Sequence, residues 1–162
     1  MNRNMTVSAI MAGLLASGIN FAAAGQTQQH MAMEAGAPSQ DAREAVEFPG
    51  RLREHELANM RDHLSTLAQI QLALSRNDVD EAAKLAENRL GMSSFGLHGA
   101  HEVAKYMPKG MQDIGSEMHR AASRFALQAI SAGATGDIRP ALAALAAVTQ
   151  QCVACHAAYR LK

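Results

Sequence analysis

From about residue 49 onward, apolar residues recur at steps of three and four, the spacing that lines them up on one face of an α-helix. The first run takes Leu57, Met60, Leu64, Leu67, Ile70 or Gln71, and Leu74; it starts near Pro49 to Arg51 and stops at Asn77 and Asp78. So narrow a stripe belongs to a helix that packs one side against neighbours. Asp78 suits the cap of a second helix, with Glu81 at the capping-box position. That helix carries Val79, Ala82, Leu85, Ala86 and Leu90 before Gly91 stops it. Pro108 fits the first turn of a third helix, whose stripe is Met111, Ile114, Met118, Ala121 or Ala122, Phe125 and Ala129. Gly133, Thr135 and Gly136 make the next break. Asp137 then caps a fourth helix that tolerates Pro140 in its first turn. Its stripe runs through Ile138, Leu142, Leu145, Val148 or Thr149, Cys152, Cys155 or His156, and Tyr159.

Between the second and third helices, Ser93, Ser94, Gly96 and Gly99 interrupt any long helix and leave room for a short one from His101 to Tyr106. Four amphipathic segments with mostly short connections predict an all-α fold, an up-down-up-down four-helix bundle over residues 49–162. In that topology the fourth helix ends where the first and third begin. At about 1.5 Å of rise per residue, Met60 sits about 14 Å in from Arg51, near the level of Cys152. Leu57, Met60, Leu64, Met111, Ile114 and Met118 are therefore expected to line the space beside Cys152, with the Met92–Met107 segment closing that end.

Composition agrees with helices. Aromatic residues are 4% of the chain and tryptophan is absent, so the core must be built of Leu, Ala and Met, which favour helix over sheet. The N-terminus reads as a secretory signal peptide over residues 1–24. Arg3 supplies the positive start, Val7 to Ala16 the apolar region, and Ala22-Ala23-Ala24 before Gly25 the cleavage site. Residues 25–48, with Gln26, Gln28, Gln29, Gly36, Pro38 and Ser39, read as a flexible leader. The whole chain holds 15 basic and 15 acidic residues, and removing Arg3 with the signal leaves a balance close to neutral. No strong field is available for nucleic acid or an anionic membrane, and no membrane span is expected once the signal is removed.

The chemistry is concentrated in Cys152-Val153-Ala154-Cys155-His156. Two cysteines three apart, with a histidine directly after the second, form the attachment signature of c-type haem. The thiols supply two thioether links to the porphyrin, and His156 is placed to be the proximal axial ligand of the iron. On a helix Cys152 and Cys155 share a face and His156 lies beside them. They are the two cysteines of the chain. A thioredoxin-like pair would start a helix in a βαβ context, a zinc site would need two more ligands at its usual spacing, and a disulfide between i and i+3 on a helix has poor geometry. Attachment of c-type haem takes place outside the cytoplasm in bacteria, which agrees with export to the periplasm. Arg160, one helical turn after His156, is expected near a haem propionate or the proximal face. Tyr159 is expected to pack against the macrocycle.

With these residues in place, the chain resembles the class II cytochromes c, the group of cytochromes c′ and their low-spin relatives. The haem motif near the C-terminus continues as Cys152-x-x-Cys155-His156-x-x-Tyr159-Arg160, a Gly136-Asp137 pair opens the last helix, and Met60-Arg61 stands in the first. The resemblance spans about residues 50–162. It implies a four-helix bundle with one covalent haem c, and it places Met60 where low-spin members carry the sixth iron ligand. Members often have an arginine four residues before that methionine; here the residue is Glu56. The resemblance further implies transport of single electrons to a periplasmic redox partner protein and pairing as a homodimer; enzymatic turnover is not expected, because the sequence offers no nucleophile–base arrangement and His156 is assigned to iron. The alternative is a five-coordinate haem protein that binds a small gas such as nitric oxide. A third reading, a metal-handling protein, rests on His98-x-x-His101 with Met107 and Met111 following, side chains able to bind copper or zinc on a helix face. His55, His63 and His119 read as exposed or partly buried surface histidines.

Overall fold

The structure is a computed structural model that describes residues 41–162. The expected signal peptide and residues 25–40 of the expected leader lie outside the described residues. A short strand, β1 (Glu44–Val46), leads into helix α1 (Gly50–Ser75), followed by α2 (Val79–Arg89). After a 3-10 turn at Met92–Ser94 come the four-residue helix α3 (Ala100–Val103), the long helices α4 (Lys109–Thr135) and α5 (Arg139–Ala158), and strand β2 (Tyr159–Leu161). The fold is all-α apart from the two short strands.

The helix limits follow local chemistry. Pro49 precedes α1, and its carbonyl accepts from the Leu52 and Arg53 amides at 2.8 and 3.1 Å. Asn77 turns the chain with φ 58°, a left-handed conformation that asparagine tolerates better than most residues. Asp78 then caps α2, its Oδ1 accepting from the Glu81 amide at 3.1 Å. Gly136 ends α4 at φ 74°, and its amide donates to the Ala132 carbonyl at 2.8 Å. Asp137 Oδ1 accepts from the Arg139 amide at 3.0 Å and starts α5, with Pro140 in the first turn.

Consecutive long helices pack together: α1 on α2, α2 on α4, and α4 on α5. Their shared core centres on Phe125 and Ile70, with Leu67, Leu90, Leu145 and Val148 around them. Most of the remaining buried positions are alanines, from Ala73 on α1 to Ala141 on α5, which let backbones approach closely. On α1 the inward face runs through Thr66, Leu67, Ile70 and Ala73. Leu64, expected inside, is 70% exposed, and His63 turns inward in its place. The expected stripe advanced by 3.5 residues per turn, whereas a straight helix advances by 3.6, so the two diverge along its length. On α5 the same offset puts Ala141 in the core and leaves Leu142 exposed.

Two further expectations change. Residues 44–48 do not belong to a flexible leader. Glu44, Ala45 and Val46 pair in parallel with Tyr159, Arg160 and Leu161, and Val46 and Phe48 are buried with Val103 and Met111. The reason is tertiary, since so short a strand gains its stability from a partner more than a hundred residues away and from the apolar cluster beneath it. This pairing also holds the start of α1 and the end of α5 at one end of the molecule. Second, α5 reaches the length and hydropathy of a membrane-crossing helix, with a mean hydropathy of 1.4 over its window, a measure that core helices of soluble proteins also reach; what changes is the expectation that no segment after the signal is that apolar, not the expected absence of a span. Much of that hydropathy comes from alanine, and only 17% of the window is buried.

Candidate haem-attachment site

The last turns of α5 carry Cys152 and Cys155 as free, half-buried thiols. Cys152 packs against the main core, with its Sγ 3.9 Å from the Val148 carbonyl. Cys155, one turn on, packs with Val46, Phe48, Val103 and Met111. Burial pushes both thiols above their ordinary pKa; the negative charges of Glu56 and Cys152 push Cys155 further in the same direction. The two thiols lie one turn apart on α5 and each packs against a different apolar cluster. His156 lies on the exposed side next to them. Its backbone carbonyl accepts from Arg43 Nη1 at 3.4 Å, which leaves the ring outside that contact.

Leu52, in the first turn of α1, packs against the same apolar cluster as Cys155, which brings the start of α1 to this end of α5. Glu56 is itself held above the usual carboxylate range by burial, partly opposed by a hydrogen bond from Asn59 Nδ2 at 3.5 Å and by the charge of His55. Met60 follows Glu56 by one turn and is half-buried. Because α1 starts where α5 ends, Met60 and Cys152 each lie one turn deeper than the Glu56–Cys155 pair. Of the other residues expected beside Cys152, Met111 and Met118 are buried in two different clusters, Leu57 and Ile114 are half-buried, and Leu64 faces solvent.

Arg160 is not one helical turn beyond His156. The helix stops at Ala158, and Arg160 lies in β2 because Tyr159–Leu161 pairs with β1. Its Nε is buried and carries no hydrogen bond; Asp41 Oδ2 is 3.4 Å away, close enough for charge attraction but poorly aligned. Arg43 and Arg160 together hold the exposed Asp41 carboxyl down at about 2, Arg43 contributing most. Tyr159 packs with the Val46 and Phe48 cluster, its hydroxyl so close over Gly110 that a Cβ there would collide with it.

His98 and His101 do not come together as a metal pair. His101 is exposed on α3, whereas His98 is 8% exposed and turned against α1. The His98 carbonyl accepts from Asn59 Nδ2 at 3.1 Å and is 3.1 Å from His55 Nε2. Its ring meets two histidines from the long helices, with His98 Nε2 3.4 Å from His63 Nε2 and the ring centroids of His98 and His119 5.4 Å apart. His119 is 7% exposed, so neither it nor His98 is a surface residue. No periodicity signalled this group, because its members come from α1, the Met92–Val103 segment and α4. As placed, no three His, Cys, Asp or Glu side chains among the described residues converge to hold a metal ion.

The donor set at the end of α5 fits a covalent haem. It offers two free thiols one turn apart on α5, an imidazole directly after the second, a half-buried thioether on α1, and in β2 a guanidinium nitrogen without a hydrogen bond, a partner for a carboxylate. Compared with protein-family models, with curated proteins and with solved structures, the chain matches none.

Proposed function

We propose that this chain is an exported c-type cytochrome that carries single electrons, with the four long helices forming an up-down-up-down bundle similar to the class II cytochromes c. The observation that carries the reading is the free pair Cys152 and Cys155 one turn apart on α5 with exposed His156 directly after the second. The low burial of so apolar a helix adds support, since α5 presents apolar surface well beyond what α4 covers. Bound there, haem c supplies a one-electron iron couple. Cys152 and Cys155 would hold it covalently, His156 would ligate the iron, and Arg160, whose Nε has no hydrogen-bond partner, would pair with a propionate. Met60, half-buried on α1, would supply a further ligand to the iron. Met and His ligation together would raise the potential of the iron, which suits electron transfer to a periplasmic partner protein.

The test is direct. Mass spectrometry of the secreted protein is expected to show a chain beginning at Gly25 plus one haem. That haem should survive acidic acetone in the wild type and be absent from the Cys152→Ala/Cys155→Ala variant. Haem that acidic acetone extracts from the wild type, or a wild-type chain that takes up none, would overturn the proposal.

A further inference from the structure

The histidine group between α1, α4 and the segment before α3 lies outside the Cys152–His156 motif. His63, His98 and His119 come from three separate elements, and their ring centroids lie 4.6, 5.4 and 6.1 Å apart. Three imidazoles bound to one tetrahedral ion have centroids about 5 Å apart, given metal–nitrogen bonds of about 2.0–2.1 Å. The 3.4 Å between His63 Nε2 and His98 Nε2 also matches the edge of such a tetrahedron, about 3.3 Å. A ring centroid lies close to the χ2 axis. Turning an imidazole about that axis therefore swings its nitrogens while leaving the centroid distances nearly unchanged. His63 and His98 have no backbone hydrogen bond to their rings among the described residues, so these are the two rings left to turn in this way.

The three rings are unequally held. His119 Nδ1 is 2.7 Å from the Leu90 carbonyl, so it carries the proton and donates, and Nε2 is left with the free lone pair. A metal-binding histidine is commonly oriented in this way, by donating its other nitrogen to a carbonyl. His98 Nδ1 is buried with no hydrogen-bond partner. No hydrogen bond at that nitrogen fixes the rotation of the ring, and Nε2, the nitrogen that faces His63, is the one placed to ligate. Burial lowers the pKa of all three rings, and neighbouring imidazoles add to this for His63 and His98, which favours the neutral form that ligates. Asp62, the nearby carboxylate, is engaged by Arg89, so the fourth position is left to water. We propose that His63, His98 and His119 bind one divalent transition-metal ion of the zinc or copper class, at a site separate from the Cys152–His156 motif. Imidazole nitrogens suit those ions and discriminate against magnesium and calcium.

The experiment uses the full protein as purified, treated with a chelator and then titrated with Zn2+ alone by calorimetry. One ion per chain is expected, and zinc-edge X-ray absorption should report imidazole nitrogens at about 2.0 Å. His63→Gln and His98→Gln should each weaken binding more than ~10-fold, beyond the effect of losing an outer-shell partner. His101→Gln, on the exposed neighbouring histidine, should leave it unchanged. Absence of saturable one-to-one binding, a zinc shell without imidazole, or an equal loss in His101→Gln would overturn the proposal. The absorption measurement needs only the wild type, so a variant that fails to fold does not blunt the test. Haem content is assayed separately and does not enter these readouts.

Discussion

Met60 is the residue on which the behaviour of the proposed haem turns. It stands one turn beyond Glu56, whose charge reaches the Cys155 thiol, and it is half-buried where Leu67 and Ile70 further along α1 are fully inside. Alanine at this position keeps the helix and removes the sulfur. Met60→Ala should convert a low-spin optical spectrum to a high-spin one and open the iron to carbon monoxide. The stability cost by urea titration should be about 1–2 kcal/mol, below the ~2–5 kcal/mol of a fully buried methionine. A wild-type spectrum that is already high-spin would exclude ligation by Met60 and favour the gas-binding alternative.

At the scale of elements, the junction of β1 and β2 positions the end of α5 that carries Cys155 and His156. Three residue pairs make the ladder, and the amide of Lys162 extends it by donating to the Val46 carbonyl at 3.0 Å. So short a ladder is marginal without apolar support, and Phe48, 5% exposed, supplies much of that support. Phe48→Ala should cost about 3–5 kcal/mol, with faster amide exchange at Tyr159–Leu161 and in the last turn of α5 than in the middle of α4. Unchanged exchange at Tyr159–Leu161 would show that the strand pair does not anchor the helix end.

At the scale of the whole molecule, the histidine group makes stability depend on pH. Burial, then the charges of His98 and His119, bring His63 down to about 4 from an ordinary 6.5, against a smaller opposing effect of Asp62. His98 and His119 are lowered too, first by burial; Asp62 raises His98 while Arg89 and His55 lower it, and the carbonyl contacts of His119 partly offset its burial. The unfolded chain thus binds more protons than the folded one below about pH 6.5. The stabilisation is complete above that pH and is lost as pH falls from about 6.5 toward the folded value, about 4 for His63. The melting temperature in the presence of a chelator should fall across this window, and His63→Gln should flatten the fall. A curve flat between pH 7 and 4.5 would refute the linkage. Asp41, Glu102, Glu117 and Asp137 are all held low by arginine or lysine partners and titrate further to the acid side.

Sequence alone determined the features that depend on neighbours a few residues apart. The four long helices and their stops at Asn77, Gly91 and Gly136 were legible because caps, glycines and apolar spacing act within one or two turns. The one-turn spacing of Cys152 and Cys155 on a helix was legible for the same reason. Tertiary structure decided what depends on distant partners. It turned His63 inward and Leu64 outward, because packing on α2 selects a face that a 3.5-residue pattern only approximates. It recruited Val46 and Phe48 from an apparent leader, and moved Arg160 from a helix to a strand, because a ladder needs its other half. It also gathered His63, His98 and His119, which no spacing along the chain could relate, since their proximity exists only once α1, α4 and the segment between them have packed.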